Sequence, residues 1–305
     1  MTTTLPAVIV PEIIEGEFVE APSRGALISQ ADSDRHMIEL WLGKHASRHT
    51  RRNYARHVAR FLAFVRKPLA EVRLGDLQAF AVSLEHQASA TRANAIAALK
   101  SLFTFAQEAG HLRFNVGVAM KTPPIKNTLA ERILVERDVL RMLALETNPR
   151  NNALLTLLYG AGLRISEPCD LKWRDLAERE GGAGQVTIYG KGGKTRVVLV
   201  SEATWKLLAE LRGEAGPDDP VFRSRKGGHL DPSAVHRVVK AAAERAGLSE
   251  EVSAHWLRHG HASHSLERGA PIHLVQATLG HASVATTGRY LHARPTDSSA
   301  RYLGV

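Results

Sequence analysis

Four short segments of this chain carry side chains that can hold an anion, move a proton or attack an electrophile. The first, G-A-G-L-R-I-S-E over residues 160–167, sets Arg164 just before a helix start, with Glu167 three residues on. The second, G-K-G-G-K over 190–194, presents Lys191 and Lys194 at a glycine-rich turn. The third, H-W-L-R-H-G-H-A over 255–262, places His255 and Arg258 three apart, on one helical face. The fourth, L-G-H-A-S-V-A-T-T-G-R-Y over 279–290, has His281 ahead of a helix capped by Ser283, and ends on Tyr290. Taken singly, each has an ordinary explanation: a surface arginine, a tight turn, a core tyrosine. His255, His259, His261 and His264 also raise the question of a metal. A zinc site of that kind wants a third ligand and a nearby carboxylate, and the sequence offers no clear one, so no metal is expected.

Together and in this order the segments resemble the tyrosine recombinase (phage integrase) family, whose catalytic set runs Arg, Lys, His-x-x-Arg, His or Trp, then Tyr. The matching positions are Arg164, Lys191, His255, Arg258, His281 and Tyr290. The resemblance extends more weakly through residues 30–122, similar to the family's core-binding helical domain. Two positions depart from the pattern: Pro168 and Gly260 stand where the family more often has a leucine-like residue and a threonine. Neither is a catalytic position.

The resemblance implies a site-specific recombinase that cleaves and rejoins DNA through a 3′-phosphotyrosyl intermediate, exchanging strands between two sites. A phosphodiester repels nucleophiles, and two guanidiniums can hold its nonbridging oxygens and offset the growing charge, which suits Arg164 and Arg258. A phenol is a moderate leaving group, so the Tyr290 bond would conserve the energy needed for rejoining. By resemblance, Lys191 is the general acid for the leaving 5′-hydroxyl, with Lys194 its rival. His255 assists proton transfer near Tyr290, His281 donates to the phosphate, and Glu167 is an accessory orienting the histidine–arginine pair. No metal or nucleotide cofactor is implied, and chelators should not impair cleavage.

These residues need elements to position them. Residues 1–25 hold Pro6, Pro11 and Pro22 and read as a flexible N-terminal arm. Residues 26–122 read as a helical core-binding, DNA-binding domain. Asp32 or Ser33 caps a helix carrying Met37, Leu40, Trp41 and Leu42. Tyr54, Val58, Phe61, Leu62 and Val65 form the apolar stripe of the next, with Arg48, Arg52, Arg56 and Arg60 on the opposite face. That face is either solvated or laid against DNA phosphates. Two further helices carry Leu74 to Leu84 and Ile96 to Ala106, the latter ended by Gly110. Residues 123–133, with two successive prolines, read as a linker. The remainder, 134–305, reads as the catalytic domain with a short C-terminal tail. It has helices near 136–146 and 151–159 and one from about 166. Gln185–Tyr189 and Arg196–Val200 form a hairpin, and helices follow. The fold class is thus mainly α with a small β-hairpin or sheet, an α+β catalytic domain. By resemblance the two domains form a C-shaped clamp on DNA.

The composition fits. The chain has 305 residues, 44% hydrophobic, a formal net charge of +9 and a single cysteine. This suits two domains and a polyanionic partner, and excludes an intrachain disulfide. No membrane-spanning run or secretory signal is visible, so a cytoplasmic, nucleoid-associated location is expected. The expected partners are a double-stranded recombination site and further copies of the chain (a dimer on a site, a tetramer in synapsis), with a partner recombinase as a further candidate. The tail residues Tyr302 and Leu303 are candidates for docking on a neighbouring protomer. The layout, with no further arm-binding domain, is similar to the Xer type. A type IB topoisomerase and a catalytically silent DNA-binding regulator are the alternatives; relaxation of DNA without a specific site would mark the first, and absence of adduct the second.

Overall fold

The computed structural model describes residues 29–125, 127–190 and 193–291. The chain folds as two compact units, Met1–Lys126 and Asn127–Val305. The expected arm (residues 1–25), Lys191 and the tail residues Tyr302 and Leu303 lie outside the described residues.

The first unit is built from α1 (Asp34–Gly43), α2 (Arg48–Val65), α3 (Leu74–Ser83) and α4 (Ser89–Glu108). Ser33 and Ser47 start the first two helices by accepting from the backbone N–H of His36 and Thr50. The apolar stripes meet in one core, in which Trp41, Phe61, Phe80 and Phe103 are fully buried. Phe61 meets the edges of Phe80 and Phe103 at 5.2 and 6.3 Å. Each such side chain contributes roughly 1.5–3 kcal/mol by leaving water. Asp34 ties the ends of the unit together, accepting from His111 Nε2 and from the backbone N–H of Leu69, both at 2.7 Å. Arg48, Arg52, Arg56 and Arg60 all lie exposed on α2, away from Val58 and Phe61.

The second unit opens with a 3-10 turn, Ala130–Arg132, then α5 (Glu136–Ala144), α6 (Pro149–Gly160) and α7 (Glu167–Asp170). Strands β1 (Leu176–Glu178), β2 (Gly184–Tyr189) and β3 (Thr195–Val200) make one antiparallel sheet in that order. After them come α8 (Glu202–Arg212), α9 (Pro232–Arg245), α10 (Ala254–Glu267), α11 (Ile272–Leu279) and α12 (Val284–Gly288). Leu154, Leu157 and Leu158 of α6 are completely buried among Val186 and Ile188 of β2, Leu208 of α8, Val235 and Val239 of α9, and Leu257 of α10. No helix among the described residues is long and apolar enough to cross a membrane.

Three sequence expectations change. The helix expected at 151–159 starts earlier, because Asn148 caps it and Pro149 fills its first turn. The helix expected from about 166 is a single turn. Beyond Asp170 the chain extends, and the Leu171 carbonyl accepts from the Val221 N–H at 3.0 Å instead of continuing the helix. The stretch expected as a linker is partly core: Leu129 and Ile133 are buried against Ala262, Val275, Leu279 and Tyr290.

Candidate active site

The turn after α6 sets the first arm of the site. Gly162 adopts φ +59°, and a Cβ there would come within 2.7 Å of Leu279 Cδ2 and 2.9 Å of His261 Cδ2. Only glycine suits both the backbone and the space. Gly162→Ala is expected to cost roughly 2–5 kcal/mol, adding left-handed strain to overpacking, and should show as a lowered thermal unfolding midpoint. An unchanged midpoint would mean the turn relaxes freely.

Arg164 follows this turn and is secured by Glu167. The buried Glu167 carboxylate accepts from the Arg164 backbone N–H at 2.7 Å and its Nη1 at 2.9 Å. The same carboxylate is held bidentately by Arg196 from β3, at 2.8 and 2.7 Å. Glu167 therefore orients Arg164 and Arg196, a different pair from the His255–Arg258 pair expected from the sequence. Burial pushes the Glu167 pKa up, but hydrogen bonds and charges from Arg196 and Arg164 outweigh it and leave the pKa below its usual value.

Arg258 is only 2% exposed. Its Nη1 donates to the Gly162 carbonyl at 2.5 Å and its Nη2 to the Leu279 carbonyl at 2.6 Å. Arg164 Nη2 donates to the next carbonyl, Gly280, at 3.3 Å. The two guanidiniums thus meet at adjacent carbonyls where α11 ends. Burial, then the nearby Arg164 charge, lowers the Arg258 pKa to about 10, which leaves it charged at neutral pH.

Tyr290, in the turn that directly follows α12, is 6% exposed. Its hydroxyl lies 2.7 Å from Nδ1 of His259, and its ring lies parallel to that of His281 at 6.5 Å. His281 Nδ1 in turn meets the hydroxyl of the fully buried Thr287 at 2.9 Å, leaving the Nε2 edge for another partner. His255 is solvent-exposed and stacks edgewise on His259 at 4.2 Å between centroids. It shares a recess with Arg164, Ser166 and Ser253. Burial pushes the Tyr290 phenol above its usual range.

The electrostatics favour an anion. Desolvation, followed by the surrounding guanidiniums, depresses His255 below its ordinary value and His281 to about 4. Against Arg164, Arg196 and Arg258 stands the single buried carboxylate of Glu167. The four histidines of α10 do not form a metal cluster. His261 Nδ1 donates to the Tyr159 carbonyl at 2.8 Å, and His264 is bound between the Leu134 carbonyl and the Tyr159 hydroxyl. Among the described residues no group of three potential ligands is close enough to hold a metal.

Residues 132–297 match the Phage integrase family, and residues 34–110 match the Phage integrase, N-terminal SAM-like domain. The chain belongs to the phage integrase family. It is a tyrosine recombinase of Xer type, an enzyme of site-specific strand exchange. The tyrosine recombinase XerC of Rhodospirillum centenum is 37% identical over 281 residues, covering 85% of this chain and 80% of that protein. The XerH site-specific recombinase bound to difH substrate, a pre-cleavage complex, is 25% identical with a TM-score of 0.70, covering 90% of this chain and 84% of that one. A lambda integrase tetramer bound to a Holliday junction shares the fold, with 17% identity, a TM-score of 0.71 and coverage of 88% and 80%.

Of the phage integrase residues singled out in the sequence, the fold gathers Arg164, Glu167, Arg258, His255, His281 and Tyr290 in the second unit. Lys191 lies outside the described residues, although the hairpin bearing it is formed: Ile188 pairs with Arg196 and Tyr189 with Thr195. Sequence reasoning misses Arg196 and His259. A signal for Arg196 is present. Val198 and Val200 face the core, so the period of two puts Arg196 on the same inward face, where a charge needs a partner. His259 stands in plain view one turn after His255, but its spacing suggests only a metal ligand. The departures Pro168 and Gly260 are accommodated: the first sits in the first turn of α7, and a Cβ at the second would meet His264 and Tyr159 at 3.5 Å or more.

Proposed function

We propose that this recombinase cleaves and rejoins duplex DNA through a covalent 3′-phosphotyrosyl bond to Tyr290, exchanging strands between two copies of a specific site. The observation that supports this reading is the Tyr290 hydroxyl, held among imidazoles and next to the Arg258 charge, with Arg164 anchored at the adjoining carbonyl. Arg164 and Arg258 clamp the nonbridging oxygens of the scissile phosphate and stabilise its transition state. His281 donates its free Nε2 edge to the same phosphate, and His255, exposed beside Arg164, assists proton transfer. Lys191 protonates the departing 5′-oxygen. Glu167 acts through the two arginines it holds.

Residues 26–122 serve as the core-binding domain and 134–305 as the catalytic domain, with Leu129 and Ile133 of the stretch between them packed into the core of the second unit. Arg48, Arg52, Arg56 and Arg60 make phosphate contacts that position the duplex without reading its sequence. Affinity then falls steeply with salt, as bound counterions are released. The chain works as a dimer on each site and a tetramer in synapsis, an arrangement supported by the lambda integrase tetramer of the same fold. A partner recombinase fits the same scheme, as does a nucleoid location.

The test uses the full chain and genomic fragments of its host that it retains at raised salt. A retained fragment, remade as a duplex with a nick beside the cleavage point, loses the freed piece and traps the intermediate. The expected result is a protein–DNA adduct that survives denaturing electrophoresis and carries the label of the strand whose 3′ end is joined. Binding without adduct on any retained fragment would leave a silent DNA-binding protein. Relaxation of a supercoiled plasmid bearing no such fragment would point to a topoisomerase.

A further inference from the structure

Several imidazoles surround the proposed nucleophile, and the structure separates them by what they touch. His281 is engaged with Thr287 through Nδ1 and only faces the Tyr290 ring. His255 lies in the solvent-facing recess beside Arg164, and among the described residues no hydrogen bond joins it to Tyr290. His261 and His264 are committed to the backbone and to Tyr159. His259 is different. It is 8% exposed, and its Nδ1 sits 2.7 Å from the Tyr290 hydroxyl.

From this geometry we propose that His259 is a catalytic residue, the group that receives the phenolic proton as Tyr290 attacks and returns it on rejoining. The inference rests on the covalent tyrosine reading above. In the forward step the Tyr290 O–H bond breaks and its proton passes to His259 Nδ1, while the phenolic oxygen bonds to phosphorus. The bond from phosphorus to the 5′-oxygen breaks, and that oxygen leaves with the electron pair and takes a proton from a separate acid. Rejoining reverses each movement, and nothing is oxidised or reduced. His255 then acts from one ring further out, stacked on His259.

The surroundings of His259 explain why such a base would work only on DNA. Burial, then His255 and Arg258 on its own helix, Arg132 from the turn before α5 and Arg289 beside Tyr290, lower its pKa to about 3. The imidazole is therefore neutral at physiological pH, with a lone pair free for the phenol. A phosphate docked on the guanidiniums offsets the charges that oppose an imidazolium, and so strengthens the base when the substrate is in place. The protein without DNA holds a protonated, buried phenol against a weak acceptor.

The experiment measures single-turnover adduct formation by the full chain on the nicked duplex between pH 6 and 9.5. One version of the duplex carries a bridging sulfur in place of the 5′-oxygen. A thiolate leaves without needing a proton, so this substrate isolates the phenol end of the reaction. The wild-type rate is expected to be nearly flat with pH. His259→Ala should be slower by about 10²–10⁴-fold at pH 7 on both duplexes. Its rate should climb about tenfold per pH unit as the phenol begins to ionise on its own. His259→Gln, which keeps a polar side chain but cannot take the proton, should be as slow and as steep. Duplex affinity, measured in parallel, reports folding, and the glutamine variant guards against collapse of the alanine one. Wild-type rates in either variant, equal slowing at every pH, or recovery by glutamine would overturn the proposal. So would steep pH dependence and sulfur-insensitive slowing in His255→Ala with neither in the His259 variants, since the base would then be His255. Failure of the wild-type chain to form any adduct would instead sink the covalent reading, and the inference with it.

Discussion

Tyr290→Phe is expected to reduce covalent adduct on the nicked duplex by on the order of 10⁴-fold or more, to below detection, with duplex affinity unchanged. The substitution removes one oxygen and nothing else of consequence for the fold. The ring stays packed against Leu129, Ile133, Val275 and Leu279. What is lost is the hydrogen bond to His259 Nδ1, and a buried polar atom left unpaired costs roughly 1–3 kcal/mol. A modestly lowered unfolding midpoint should therefore accompany the loss. The other described tyrosines cannot substitute. Tyr54 is stacked on Trp41 in the first unit, at 5.3 Å between centroids. Tyr159 is bound to Glu136 and His264, and burial together with Glu136 holds its phenol well above the usual range. Tyr189 is exposed at the end of β2, where it pairs with Thr195 of β3. An adduct persisting in Tyr290→Phe would overturn the assignment and send attention to Tyr302, which lies outside the described residues.

Glu167→Ala should produce the second largest change, and in two observables at once. The carboxylate accepts four hydrogen bonds, two from Arg164 and two from Arg196. Arg196 is nearly enclosed, with its side chain 12% exposed, whereas Arg164 is 44% exposed and better able to recruit water. Removing one partner of a buried pair leaves the other charge uncompensated and costs about 3–5 kcal/mol, here tempered by the openness of Arg164. Adduct formation should fall by about 100-fold, since a displaced clamp misaligns the phosphate. Acid should act in the same direction. The Glu167 pKa is lower folded than unfolded, so its stabilisation is complete above the unfolded value near 4.5 and is lost as pH falls through the folded value. Denaturant unfolding of wild type and Glu167→Gln should therefore converge as pH drops below about 4.5. A gap that stays constant down to pH 3 would show that the carboxylate charge contributes nothing.

Much of this site is legible in the amino-acid sequence, because its chemistry needs a few residue types in a fixed order. Tyr290 is distinguished by its distance from His281, and that spacing reflects a real device: a short capped helix, Val284–Gly288, that delivers the phenol beside the imidazole. The helices of the first unit are equally readable, since their apolar residues recur at a strong period and serines mark two starts. Where reading stops, the cause is long-range contact. Nothing near Leu171 announces that its carbonyl will be claimed by Val221, which cuts α7 to one turn. The strand Leu176–Glu178 is too short to show alternation and exists only because β2 lies alongside it. Glu167 stands out in the sequence but with the wrong neighbours, because its second arginine comes from a strand 29 residues away. His259 is hidden for a similar reason. Its partner, 31 residues on, is brought to it only by the packing of the last helices.

The two arginines proposed to clamp the phosphate are anchored by different kinds of atom, and this bears on how the enzyme can change over generations. Arg258 is oriented by the carbonyls of residues 162 and 279, which belong to the main chain, so a side-chain exchange reaches them only by moving the backbone, as it would at Gly162. Arg164 takes one such carbonyl, at residue 280, but leans chiefly on a carboxylate that a single codon change can erase. Genetic drift can therefore reach the first arginine through position 167, whereas the second is exposed to it only through the path of the backbone. A lineage losing strand exchange can pass through position 167 without moving the backbone, whereas through position 162 it must also strain the turn.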